Sequence, residues 1–231
     1  MTERPASSGA SAQQAPSIGV SAMPAFRRVG FRAGMAAGTA TIAYDIVQVA
    51  QVVGLVRFPL DEILIFGTSL AIVAPFVVAM VAWHHSRTGD ERFWTQAGLV
   101  FTTIYAVFGM ANYVVQLGTV IPAKLRGDLD AVRVLEQTPH SLLWDFDALA
   151  YIAMGLAALM IIPSLRGNRA EQRVRRACVA HVGATVLSGI VYFAPTYSTR
   201  LLLLGFPWAI TAPVFMLLLA VALRSEEHSV A

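Results

Sequence analysis

Ionisable and amide side chains sit inside long apolar stretches of this chain, and their spacing groups them. Asp45, Gln48 and Gln51 recur at three-residue steps, which keeps them near one face of a helix. Asn112, Tyr113 and Gln116 form a second group, in which Asn112 and Gln116 are four apart and therefore cofacial. His140, Asp145, Asp147 and Tyr151 form a third, with Tyr151 one turn beyond Asp147. A carboxyl at the centre of a bilayer costs about 2.5–3.5 kcal/mol on insertion scales, so groups of this kind need partners, water or a ligand.

Several chemistries can be tested against these positions. A carboxyl in apolar surroundings can carry a cation or load and release a proton, and Asp45, near the middle of its stretch, suits that role best. His140, Asp145 and Asp147 could sketch a metal site, but positions two apart diverge by about 200° around a helix, so no metal is expected. Haem would need two histidines at one depth, and His140 and His181 fall toward opposite ends of their stretches. A retinal Schiff base needs a lysine within a span, whereas the sole lysine, Lys124, falls in a connection. Ser188 lacks a GxSxG elbow, and no phosphate-loop, dinucleotide or EF-hand pattern occurs. No cofactor is therefore assigned, and catalytic residues stay unknown.

The elements that position these groups follow from composition. Of 231 residues 56% are hydrophobic and 13% charged, and the mean hydropathy is +0.62. Soluble domains carry about a quarter charged residues, so the apolar excess must face lipid. That balance excludes a soluble enzyme, a disordered regulator and a nucleic-acid binder. Cys178 is alone, which excludes a disulfide framework.

Six stretches are long enough, at about 1.5 Å per residue, to cross a hydrocarbon core of about 30 Å. They are 33–56, 63–83, 96–121, 141–162, 177–196 and 201–223. The expected fold is all-α: a polytopic membrane protein with six transmembrane helices spanning 26–224. Residues 1–25, rich in Ala, Ser, Gln, Pro and Gly, are expected to form a retained, disordered cytoplasmic tail, and 225–231 a second cytoplasmic tail. Pro122, Pro163 and Pro195 fall just after spans, while Pro75, Pro207 and Pro213 fall inside spans two and six and should bend them.

Counting Lys and Arg on alternate sides gives twelve on one and five on the other, which predicts a plasma (inner) membrane protein with both termini cytoplasmic. With that orientation all three polar groups fall toward the outer leaflet, so a polar pocket open to the outside is expected. Leu125, Leu129, Val132 and Leu135 recur at helical spacing among charged residues, predicting a short extracytoplasmic amphipathic helix. The Arg-rich tract 166–176 suits an ordinary cytoplasmic loop or contact with anionic lipid. Gly34 and Gly38 form a GxxxG that permits close helix contact within the chain or in a homo-oligomer. The echo of AYDIVQV (43–49) in ANYVVQL (111–117) aligns Gln48 with Gln116, although spans two and four show no matching echo.

NYVVQ followed by Pro122, and then PHSLLWDFDALAYIAMGLA, resembles a loose group of uncharacterised bacterial multi-pass proteins over residues 111–157. The resemblance implies a small bacterial six-helix membrane protein and brings no activity with it. The functional expectation is binding or transport of a small polar solute or cation by Asp45, Gln48, Gln51, Asn112, Tyr113, Gln116, His140, Asp145, Asp147 and Tyr151. The alternatives are a membrane-embedded enzyme acting on lipid or another apolar substrate, and a subunit or assembly factor with no site of its own. Membrane lipid is the expected partner, alongside a small-molecule or ion ligand.

Overall fold

The computed structural model describes residues 23–225, so the expected tails, 1–25 and 225–231, lie almost wholly outside the described residues. Within them the chain is helical and contains no strand. The long helices are α1 (Ala25–Val52), α2 (Leu60–His85), α3 (Asp90–Val115), α5 (Leu142–Ile161), α6 (Arg169–Phe193) and α8 (Phe206–Ser225). Two short ones, α4 (Ile121–Arg126) and α7 (Thr199–Leu202), extend α3 and introduce α8.

Local chemistry sets several boundaries. Ser141 Oγ accepts from Trp144 N at the start of α5, and Asn168 Oδ1 accepts from Ala170 N and Glu171 N at the start of α6. Asp61 and Glu62 open α2, while His84 and His85 close it, matching the helix dipole at both ends. Between α3 and α4 the residues Gln116–Val120 widen into a π-turn just before Pro122, which has no N–H to donate to the carbonyl four residues back and whose ring would crowd that carbonyl in a regular α-helix. Pro207, expected inside a span, lies in the first turn of α8, where the lost N–H has no intrahelical acceptor to miss; Pro75 and Pro213 are interior.

The six long helices form a closed ring: α1 packs on α2, α2 on α3, α3 on α5, α5 on α6, α6 on α8, and α8 back on α1. Short connections alternate their direction. The last contact depends on small residues, because a Cβ added at Gly34 would lie 2.8 Å from Ala220 Cβ, and one at Gly38 would meet Leu217. The GxxxG face thus seats α1 on α8 within the chain. The middle of the ring is filled: Phe76 packs edge-on against Tyr105 and Phe215, with ring centroids 5.6 and 5.9 Å apart, and Met80 and Met154 are buried beside them.

Among the described residues five helical segments are long and apolar enough to cross a membrane: Leu60–His85, Asp90–Arg126, Leu142–Ser164, Arg169–Phe193 and Arg200–Ser225. Their outer faces carry exposed apolar rows, such as Val100, Val107 and Val114 on α3 and Val179, Val186 and Phe193 on α6. Seven-residue spacing puts each row on one face, and such a surface is suited to lipid rather than water. Helix α1 has the length but not the apolar content. Gly34 and Gly38 are committed to α8 and Gly30 lies against Ala82 of α2, and Tyr44, Asp45, Gln48 and Gln51 break its apolar run.

The expected amphipathic helix after Pro122 is not continuous. The chain leaves α4 at Gly127, in the left-handed conformation (φ 76°), and forms a 3-10 turn over Asp130–Leu135 in which no residue is buried. A stripe spaced for 3.6 residues per turn does not stay on one side of a 3-10 turn.

Candidate functional site

Sequence distance hides what this ring brings together. The carboxyl-terminal part of α1, the start of α2, the end of α3, the start of α5, the end of α6 and the start of α8 all meet at one end, around a cavity of about 690 Å³. From the expected site, Asp45, Gln48, Gln51, Tyr113, Gln116, Asp147 and Tyr151 line it.

Asp147 is the hub of a satisfied network. Its side chain is only 4% exposed, and it accepts from Tyr113 Oη at 3.3 Å, Asn112 Nδ2 at 3.4 Å, Gln137 Nε2 at 3.1 Å and Tyr192 Oη. Four donors from α3, the loop and α6 converge on one carboxylate of α5, which is how such a group is tolerated in an apolar bundle. Gln137 is the pin: its Oε1 accepts from Asn112 Nδ2 at 2.8 Å, and its backbone N donates to Gln116 Oε1 at 3.4 Å. Gln116 Nε2 in turn donates to the Leu135 carbonyl at 2.7 Å, so the loop is tied to the π-turn of α3.

Helix α1 joins through its tyrosine. Gln48 Nε2 donates to Tyr44 Oη at 2.7 Å, and the Tyr44 and Tyr151 hydroxyls lie 3.3 Å apart. Gln51 Nε2 reaches Asp61 Oδ2 at 2.9 Å. Asp45 differs from Asp147: its Oδ1 is buried and has no hydrogen-bond partner among the described residues. A third charged group lies at the rim, where Lys124 Nζ bridges Glu62 Oε1 at 2.8 Å and Glu136 Oε1 at 2.6 Å.

Aromatic rings make up much of the remaining wall. Tyr151 packs on Trp208 with centroids 4.4 Å apart and on Tyr192 at 5.5 Å, while Trp144 packs on Tyr192 at 4.6 Å. Tyr44 meets Trp208 edge-on at 6.4 Å. Trp208 is 6% exposed, and its indole Nε1 has no acceptor among the described residues.

Three expected residues are placed elsewhere. Asn112 is fully buried behind the wall, bonded to Gln137 and Asp147, and acts on the cavity through them. Asp145 is exposed and off the cavity: with Asp147 turned inward, a position two residues earlier must face away. His140 is also exposed, in the turn before α5 at φ 66°, and does not line the cavity. The metal site sketched from His140, Asp145 and Asp147 is therefore not assembled, and among the described residues no group of three His, Cys, Asp or Glu side chains could hold an ion.

Gln137, Tyr192, Trp208 and the Lys124 pairs were not foreseen from the sequence. Gln137 and Lys124 lie in what reads as a polar connection, and aromatic residues near span ends read equally well as interfacial anchors. The one available signal was the excess of tyrosine and tryptophan at the same end of spans one, four, five and six.

No family model matches this chain. No curated protein and no solved structure matches it either.

Proposed function

We propose that this protein binds or transports a small polar solute or cation, and that the cavity between α1, α3, α5, α6 and α8 is its site, with Asp45 as the charge-bearing group. The observation that carries the reading is the buried Asp45 oxygen without a partner among the described residues, on the wall of a cavity of about 690 Å³ in which Asp147, Glu62 and Glu136 are engaged by donors. A carboxylate left this way is costly unless something occupies the space beside it. Glycine seating and a filled ring centre close the bundle below, so a ligand enters from the cavity end.

In this reading α1 is a sixth span. Ile42 and Ile46 are exposed on its surface, as lipid contact requires, while Tyr44, Asp45, Gln48 and Gln51 line the cavity. The excess of basic residues on the opposite connections puts the cavity on the extracytoplasmic side of a bacterial plasma membrane, with both termini cytoplasmic. This reading also keeps the chain with the uncharacterised bacterial multi-pass group that residues 111–157 resemble.

Two measurements test it. Purified protein screened for ligand-induced thermal shift against small polar solutes and cations should respond, and Asp45→Asn should abolish the response; an unchanged shift in that variant would remove Asp45 from the site. Because Cys178 is buried, Asp128→Cys should be labelled by an impermeant maleimide on intact cells and Gln172→Cys should not. The reverse pattern would invert the topology.

A further inference from the structure

The geometry points to an organic ammonium as the ligand of this cavity: a cationic amine or quaternary ammonium group held against the aromatic wall with Asp45 as its counter-ion. The inference rests on the binding reading above and narrows it from a solute or cation to one chemistry.

Charge comes first. Four carboxylates line the cavity (Asp45, Glu62, Glu136 and Asp147) against one ammonium, that of Lys124. Lys124 is spent on Glu62 and Glu136, and Asp147 on its four neutral donors, which leaves Asp45 as the carboxylate open to a guest. An anionic ligand would meet that excess without a free cation to receive it.

The walls then separate an organic cation from an inorganic one. A bare metal ion or alkali ion needs several oxygens converging at short range, and the carboxylates here do not form such a cluster. Tyr44, Tyr151, Tyr192 and Trp208 instead present a contiguous set of ring contacts, from 4.4 to 6.4 Å between centroids. Ring faces attract a large, weakly hydrated cation, and aromatic cages are the usual solution for quaternary ammonium groups. Trp208 adds an independent observation: it is nine-tenths buried, lines the cavity, and its Nε1–H lacks an acceptor among the described residues, so it can donate to an oxygen carried by the same guest. The rim residues Leu203 and Phe206 are exposed, so the ammonium could belong to a free solute or to the headgroup of a lipid whose chains lie outside the ring.

Isothermal titration of the full chain in detergent tests the proposal with tetramethylammonium, choline, potassium chloride and 3,3-dimethylbutanol, the neutral isostere of choline. Saturable heat with the two ammonium ions, and none with the isostere, is expected. Asp45→Asn should weaken choline binding by about tenfold or more, and Trp208→Leu by roughly 3- to 30-fold, as loss of one ring under a cation does. Trp94→Leu, away from the cavity, should leave it unchanged. Equal binding of choline and its isostere, or no binding of either ammonium, overturns the proposal on wild-type protein alone, whether or not the variants fold. Asp45-dependent binding of potassium without ammonium binding would overturn the proposal and spare the broader reading. Repeating the titration in nanodiscs separates the sources: choline heat that persists in phosphatidylglycerol and vanishes in phosphatidylcholine assigns the site to a headgroup, and heat that persists in both assigns it to a free solute.

Discussion

The two ends of the helical ring treat polar side chains differently. At the end away from the cavity, Arg87 Nη1 pairs with Glu171 Oε1 at 2.9 Å, and its guanidinium lies 3.8 Å from the ring centre of Trp83. Glu171 Oε2 accepts from Gly167 N, Trp83 Nε1 donates to Ser164 Oγ at 3.2 Å, and His84 Nδ1 lies 2.9 Å from Thr95 Oγ1. These contacts tie α2 to α3 and to the segment that opens α6. At the other end, the Asp147 carboxylate is fully engaged, while one carboxylate oxygen each of Asp45 and Asp61 and the Trp208 indole N–H have no partner among the described residues. The first arrangement spends its polar groups on cohesion. The second leaves some without partners, and the proposed binding site rests on that difference.

The comparison can be broken most severely at the sealed end. Arg87→Leu should destabilise the protein by about 3–5 kcal/mol in chemical unfolding, because Glu171 is left buried and uncompensated, and Arg87→Leu combined with Glu171→Leu should regain much of that loss. A single variant within about 1 kcal/mol of wild type would show that this end is not held by the pair.

At the cavity end the hub should matter next. Asp147→Asn weakens four hydrogen bonds that a charged acceptor holds, and a loss of about 1.5–3 kcal/mol is expected in the same assay. Asp45→Asn, by contrast, should be neutral or stabilising, since it removes a charge without a partner. Similar losses in both would erase the distinction between hub and guest carboxylate.

The seam between α1 and α8 gives an intermediate effect. Gly34→Ala forces a methyl against Ala220 and should cost about 1–3 kcal/mol without changing the oligomeric state measured by light scattering. At the rim, Lys124→Ala should cost about 1 kcal/mol, as partly exposed ion pairs do, and Asp145→Asn should change thermal stability by less than about 0.5 kcal/mol. A large loss on changing exposed Asp145 would show that its placement off the cavity is wrong.

Much of the architecture was legible in the sequence because lipid imposes a simple rule on composition. Long uncharged stretches mark helices, and the structure places long helices over the expected ones; five have the length and apolar content to span. Helix α1 is the instructive exception. Its glycines and cavity-lining amides lower its apolar content, so a rule built on average hydropathy does not register a helix whose surface is divided between a neighbour, a cavity and an exposed apolar stripe. The same arithmetic grouped ten residues at one level; Asp45, Gln48, Gln51, Tyr113, Gln116, Asp147 and Tyr151 line the cavity, and Asn112, His140 and Asp145 do not.

Periodicity failed where the chain left regular helix. The stripe from Leu125 to Leu135 was spaced for an α-helix, but Gly127 reversed the chain first. That reversal delivers Glu136 and Gln137 to Lys124, Asn112 and Asp147, pairings with separations that local spacing does not encode.

The sequence alone determined where the long helices run and which of their faces are apolar, since each depends on residues one or two turns apart. Only the tertiary structure decided that Asp147 is engaged and Asp45 is not, that Asp145 faces away, that the glycine face is consumed within the chain, and that tyrosines and a tryptophan from four helices form one wall. Those outcomes depend on how the ring closes, because a hydrogen bond or a ring contact forms only between groups brought within a few ångströms, and closure brings together residues more than a hundred positions apart.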